Sequence, residues 1–223
     1  MNVSDAVRSR HSVRAFLDRP VPKDILREIL ELAARAPSGG NVQPWRLYAV
    51  TGEPLAAFKA KMHERIATNP SPDPLEYHIY PESLWEPHRT YRFRVGEQMY
   101  GLIGIPRDDK AGRVAQFQRN YQFFGAPTAL FTYIDKRMGP PQWSDLGMYL
   151  QTVMLLLREH GLDSCPQECW STYSAMVREF LGAPTELMLF CGMAIGYRDP
   201  DAPINALVTE RAPIDDFATF KGF

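Results

Sequence analysis

Arg10-His11-Ser12-Val13-Arg14 and Pro37-Ser38-Gly39-Gly40-Asn41-Val42-Gln43-Pro44-Trp45 are the two stretches from which the rest of this chain can be read. In an extended conformation successive side chains point to opposite faces, so Arg10, Ser12 and Arg14 share one side. In a helix Ser12 would turn away from both arginines. Two planar guanidiniums and a hydroxyl on one face suit a phosphate, which takes several charge-assisted hydrogen bonds. The second stretch stops a helix with small and polar residues whose backbone a ligand can approach closely. Together they point to a bound phosphorylated cofactor.

The surrounding chain limits the alternatives. Its 223 residues are 45% hydrophobic and 12% aromatic, enough to bury a core, and the net charge of -1 leaves no basic stripe for nucleic acid. The N-terminus carries Asp5, Arg8 and Arg10 where a signal peptide needs an apolar region, and Val153–Leu157 is too short a run to span a bilayer. Cys165, Cys169 and Cys191 are too few for a disulfide framework and read as small buried hydrophobes. The five histidines match no metal motif, and the expected compartment is the reducing cytoplasm.

Periodicity predicts helices over Met1–Ser9, Pro22–Ala36, Pro54–Ile66, His88–Leu102, Lys110–Phe123, Ser144–His160 and Ser174–Leu181, and strands over Arg46–Val50, Thr128–Ile134 and Leu187–Ile195. Ser144–His160 is apolar almost all round, as a helix buried on every side, in a core or a subunit interface, would be. Residues 69–87 carry five prolines among Tyr77, Tyr80 and Trp85, a long irregular excursion. Residues 197–223 have little periodicity but keep Leu207, Val208, Ile214, Phe217, Phe220 and Phe223. Neither repeat nor linker interrupts the chain, which reads as one domain.

Taken in order, these blocks resemble the flavin-dependent nitroreductase family. The resemblance rests on Arg10–Phe16, on Ala36–Trp45, on Phe124-Gly125-Ala126-Pro127 before a strand, and on Asp145-Leu146-Gly147. Later come Gly161–Gln167, Gly192–Tyr197 and Arg211-Ala212-Pro213, so that it covers nearly the whole chain. It implies an α+β, three-layer α/β/α fold with a mostly antiparallel central sheet and a C-terminal tail, residues 197–223, exchanged between the subunits of a homodimer. It implies flavin mononucleotide (FMN) as cofactor and NAD(P)H as co-substrate. Hydride would pass through flavin N5 to a small electron acceptor, a nitroaromatic or a quinone, by a ping-pong mechanism. No residue of the chain is assigned a catalytic role, because the flavin carries the chemistry.

Residue by residue, the resemblance places Arg10, His11, Ser12 and Arg14 on the flavin, with Arg211 near its phosphate. It brings Pro37, Ser38, Gly39 and Asn41 to the flavin of the partner subunit. Pro166, Gln167 and Glu168 lie over the reactive edge of the ring, Asp145 close to it, and Arg119 and Gln122 on its pyrimidine side. Simpler readings stand beside these: Cys165–Glu168 as an ordinary loop, Asp145 as a first-turn helix carboxylate, the aromatic residues of 69–112 as loop packing instead of a lid. Part of the family has a lysine two residues before the late arginine, where this chain has Thr209, and compact members lack residues 69–112. Reductive dehalogenation, enone reduction, flavin fragmentation and flavin binding without turnover remain open on the same scaffold.

Overall fold

A computed structural model describes the chain from Met1 to Phe223. Its centre is a four-stranded sheet in the order β1-β2-β4-β3, built from β1 (Arg46–Thr51), β2 (Thr128–Asp135), β3 (Asp163–Gln167) and β4 (Leu187–Gly196). Every adjacent pair is antiparallel. β2 and β4 occupy the middle and are buried on both faces, so both read as unbroken apolar runs.

Helices cover both sides. On one face α3 (Gly52–Thr68) and α7 (Ser174–Leu181) bring Phe58, Met62 and Val177 against Phe131 and Tyr133 of β2. On the other, α2 (Lys23–Ala33) and α6 (Pro140–Glu159) bring Ile29, Tyr149, Val153 and Leu157 against Leu130 of β2 and Met193 of β4. A register shift between Thr132 and Tyr133 leaves Phe190 of β4 without a partner. The alternation flips there: Leu187 and Leu189 share a face with Ala194, and Cys191 and Met193 share the opposite one.

α1 (Val3–Ser9), α4 (His88–Leu102) and α5 (Lys110–Gln118) complete the helices. None is long and apolar enough to cross a membrane. Residues 69–87 form no regular element, yet their first part is anchored. Asp73 N–H donates to Thr172 O at 2.8 Å, Glu76 pairs with Arg178 and Lys136 at 2.7 and 2.8 Å, and the Tyr77 hydroxyl donates to the carbonyl of the bulged Phe190.

Three expectations are corrected. The helix expected over Lys110–Phe123 stops at Gln118 and tightens into a 3-10 segment, Arg119–Gly125, whose Phe123 and Phe124 adopt positive φ (50° and 54°). Both rings are buried, and packing outweighs the local cost of that backbone. Asp163–Gln167 is a strand and not a loop; Pro166 is accommodated because β3 lies at the sheet edge. α6 begins at Pro140 and not at Ser144; within the single chain one stripe of it is buried, with Met148 37% exposed and Leu155 half-buried.

Candidate functional site

The segment Arg10–Arg14 is extended, as its alternation predicts. It runs beside the free edge of β3, with a parallel bridge between Ser12 and Ser164 and Val13 N–H donating to Ser164 O at 3.0 Å. Val13 and Ala15 are buried while Arg10, Ser12 and Arg14 are half-buried on the other side. The tail returns past this face. Arg211 sits close enough to Arg10 that, after burial itself, its charge is the second cause lowering the Arg10 pKa. Arg211 Nη1 is steadied by Thr209 Oγ1 at 2.6 Å and Glu210 O at 2.7 Å. None of Arg10, Arg14 and Arg211 forms an ion pair with a carboxylate of the chain. Arg10 and Arg211 together, without counter-charge, suit an anion; Arg14, on the same side of the extended segment, lines a large cavity.

Behind the clamp stands a buried carboxylate that the sequence motifs did not single out. Asp163 accepts from Arg198 at 2.7 and 3.0 Å and pairs with Arg158 at 2.8 Å. His11 lies beside this group. Burial, then Arg198, lowers its pKa against the opposing pull of Asp163, and its Nε2 is buried with no partner.

The cavity has a volume of about 1140 Å³, above the usual range for small-molecule pockets. Its floor is the end of β3, where Pro166, Gln167 and Glu168 lie, joined by Cys169, which is therefore not simply core. Gln167 is 2% exposed. Its Nε2 donates to Asn120 O at 2.7 Å, and its Oε1 accepts from Trp170 Nε1 at 3.4 Å. Burial raises the Glu168 carboxyl above its ordinary value. The far wall is the 69–112 segment, through Tyr80, Arg92, Phe93 and Tyr100. Arg92 lies 4.4 Å over the Tyr80 ring and has no carboxylate partner, whereas Arg89 is paired with Glu86 at 2.7 Å and Glu97 with Arg113 at 2.7 Å.

Other expected site residues fall elsewhere. Arg119 and Gln122 are turned off the cavity by the tightened segment: Arg119 is exposed, and Gln122 Nε2 donates to Lys59 O of α3 at 3.1 Å. Gln116 and Asn120 line the cavity in their place. Asp145 is neither in the first turn of α6 nor at the cavity. It is 5% exposed, and both of its oxygens accept from Gly39 N–H at 3.3 Å. Its role in the fold is to hold the loop. Ser38 Oγ accepts from Gln43 N–H at 3.1 Å, Asn41 has φ 58°, and Pro37, Gly39 and Asn41 stay exposed. Within one protomer none of Pro37, Ser38, Gly39 and Asn41 lines the cavity.

The family model for the nitroreductase family matches residues 7–197. Among characterised relatives, a 4-nitrobenzoate reductase of Pseudomonas putida is 39% identical over 97% of this chain and 94% of its own. An FMN and NADPH-dependent nitroreductase, NfnB, from Sphigopyxis sp. strain HMH superposes with a TM-score of 0.96 at 51% identity, over 100% of both chains. The FMN-dependent nitroreductase NfnB of Mycobacterium smegmatis, solved in complex with NADPH, gives 0.91 at 29% identity over 99% of this chain and 100% of that one.

Proposed function

This chain belongs to the nitroreductase family, and we propose that it is an oxidoreductase that holds flavin mononucleotide and uses NADH or NADPH to reduce electron-poor small molecules, nitroaromatics before quinones. One observation carries the reading: Arg10 and Arg211 lie close enough to repel each other, Arg14 follows on the same side of the extended segment at the cavity, and none of the three has a carboxylate partner. A flavin phosphate, at about −1.5 to −2, supplies it. When bound, the flavin would supply the hydride-transfer chemistry between nicotinamide and acceptor.

What the chain itself contributes is holding and orientation. Arg10, Ser12, Arg14 and Arg211 would hold the phosphate through charge-assisted bonds, with His11 contributing backbone contact from the same stretch. Pro166, Gln167 and Glu168 are assigned to the ring edge. Asn120 and Trp170 lock Gln167, so this floor presents a fixed surface, and fixed geometry is where much of the rate would come from. The 69–112 segment forms the acceptor side. Tyr80, Phe93 and Tyr100 suit a flat arene, and Arg92 suits an anionic substituent on it.

The working unit in this reading is a homodimer. Val208, Phe217, Phe220 and Phe223 are 81%, 69%, 62% and 105% exposed, a run of apolar side chains that water does not favour and a neighbouring subunit would cover. Asp145 holds the Pro37–Asn41 loop outward, where it would reach the neighbour's flavin. The three unbridged cysteines accord with a cytoplasmic setting.

The test is anaerobic mixing of the yellow protein with NADH or NADPH. Bleaching, with recovery of colour on adding a nitroarene, is expected, together with parallel double-reciprocal plots when both substrates are varied. Protein that stays yellow with both nucleotides refutes the enzyme reading. Sedimentation as a monomer with a full complement of flavin refutes the shared site.

A further inference from the structure

The clamp strand is held along its length by two separate sets of backbone bonds, with a gap between them. Val13 N–H bonds Ser164 O of β3, and Ala15 O and Leu17 N–H bond Asp199 N–H and Tyr197 O beyond the end of β4. The N–H of Arg14, the clamp arginine that also faces the cavity, falls between these sets. It is taken by a side chain instead: Asn205 Oδ1, at 2.8 Å. The same amide donates from Nδ2 to Ala15 O at 2.8 Å and to Asp199 O at 2.9 Å. Asn205 is 9% exposed and sits in the short 3-10 turn Pro203–Ala206, with Ile204 and Leu207 buried around it. Its acceptor and both of its donors are used.

We propose that Asn205 is the positioning residue of the phosphate clamp: it fixes the backbone that carries Arg14 and roots the stretch that brings Arg211 to Arg10. The inference rests on the flavin-phosphate reading above. It adds a residue that does not line the cavity and that acts through the arginines. An amide is needed because the site presents one N–H and two carbonyls. A carboxylate in its place keeps the acceptor for Arg14 N–H but turns both donors into repulsion against Ala15 O and Asp199 O.

The experiment is titration of the apoprotein with FMN and, separately, with riboflavin, which has the same ring and no phosphate, following quenching of flavin fluorescence. For Asn205→Ala the expected result is an FMN Kd about tenfold weaker, the scale of one or two lost bonds. The riboflavin Kd is expected to stay within about twofold, the range of a change worth a few tenths of a kcal/mol. Inorganic phosphate, which should displace FMN from the parent protein, should compete less well in the variant. If Asn205→Ala does not fold, Asn205→Asp, which keeps the Arg14 bond, should show the same selective loss. Equal weakening of FMN and riboflavin, or unchanged FMN binding in a folded variant, overturns the assignment. A parent protein that binds riboflavin as tightly as FMN, with phosphate inert, refutes the underlying phosphate reading and the proposal with it.

Discussion

Gly192 of β4 tests how the core supports the cavity floor. A Cβ there would stand 2.3 Å from Trp170 Cδ1, 2.9 Å from Nε1 and 3.1 Å from Cγ. Ordinary carbon contact begins near 3.5 Å, so in Gly192→Ala the indole must move by about 1.2 Å. It has nowhere to go: Trp170 is fully buried, stacked on Phe123 at 4.6 Å and flanked by Phe58 and Tyr121 at 5.4 and 5.3 Å. Overpacking of this kind costs roughly 1–3 kcal/mol. At about 2–4 °C per kcal/mol for a chain of this size, Tm should fall by roughly 2–12 °C. Because Trp170 Nε1 donates to Gln167 Oε1, the displaced ring should also loosen the floor, and nitroarene turnover should fall by more than the unfolded fraction explains. Calorimetry and steady-state kinetics on the flavin-loaded protein measure both. Gly147→Ala is the control: a Cβ there meets nothing within 4 Å inside α6, and the helix should gain up to about 1 kcal/mol. In a Trp170→Leu background the Gly192→Ala penalty should shrink by at least about 0.5 kcal/mol. A wild-type Tm for Gly192→Ala, or an undiminished penalty in that background, would refute the argument.

Removing the charge behind the clamp is the second test. Asp163→Asn strands Arg158 and Arg198 without their carboxylate and should cost about 3 kcal/mol in chemical denaturation. His11 predicts a pH dependence. Its pKa is lowered by burial and then by Arg198, so the unfolded chain takes up a proton first as pH falls below about 6.5. Stability should therefore decline from pH 7 to pH 5, and His11→Gln should flatten the urea-midpoint profile over that window; an unchanged slope excludes His11 as its source. Arg92→Met should lower kcat/KM for 4-nitrobenzoate by about 5- to 30-fold, one charge-assisted bond, and leave nitrobenzene within about twofold. Equal loss on both substrates would assign Arg92 to the wall's packing alone.

Local chemistry made the clamp legible in the sequence. Alternation at Arg10, Ser12 and Arg14 and burial of Val13 and Ala15 belong to one period-two pattern, and β2 and β4 announce themselves by β-branched and apolar runs. Long-range pairing was harder to see. β3 contains Asp163, Pro166 and Gln167, residues disfavoured in strands, and exists because β4 lies beside it. The end of α5 depends on Phe123 and Phe124 taking positive φ to fill a core whose shape is set elsewhere, which is why the cavity is lined by Asn120 and not by Arg119 or Gln122. Asp163 and Asn205 carried no signal at all, since the meaning of a polar residue lies in partners distant in sequence.

That distance also governs when the site can exist during synthesis. Arg14 emerges from the ribosome early, but the side chain that takes its backbone N–H is encoded 191 positions later. The sheet has all four of its strands once β4 ends at Gly196, before residue 205 is added. The sheet's inner strands and their helices can therefore assemble around an unfinished clamp, which closes only when the last turn before the tail arrives. Capture of the phosphate at full affinity would then report that residues 205 and 211 have both been added, and a chain stalled before them would hold its cofactor more weakly.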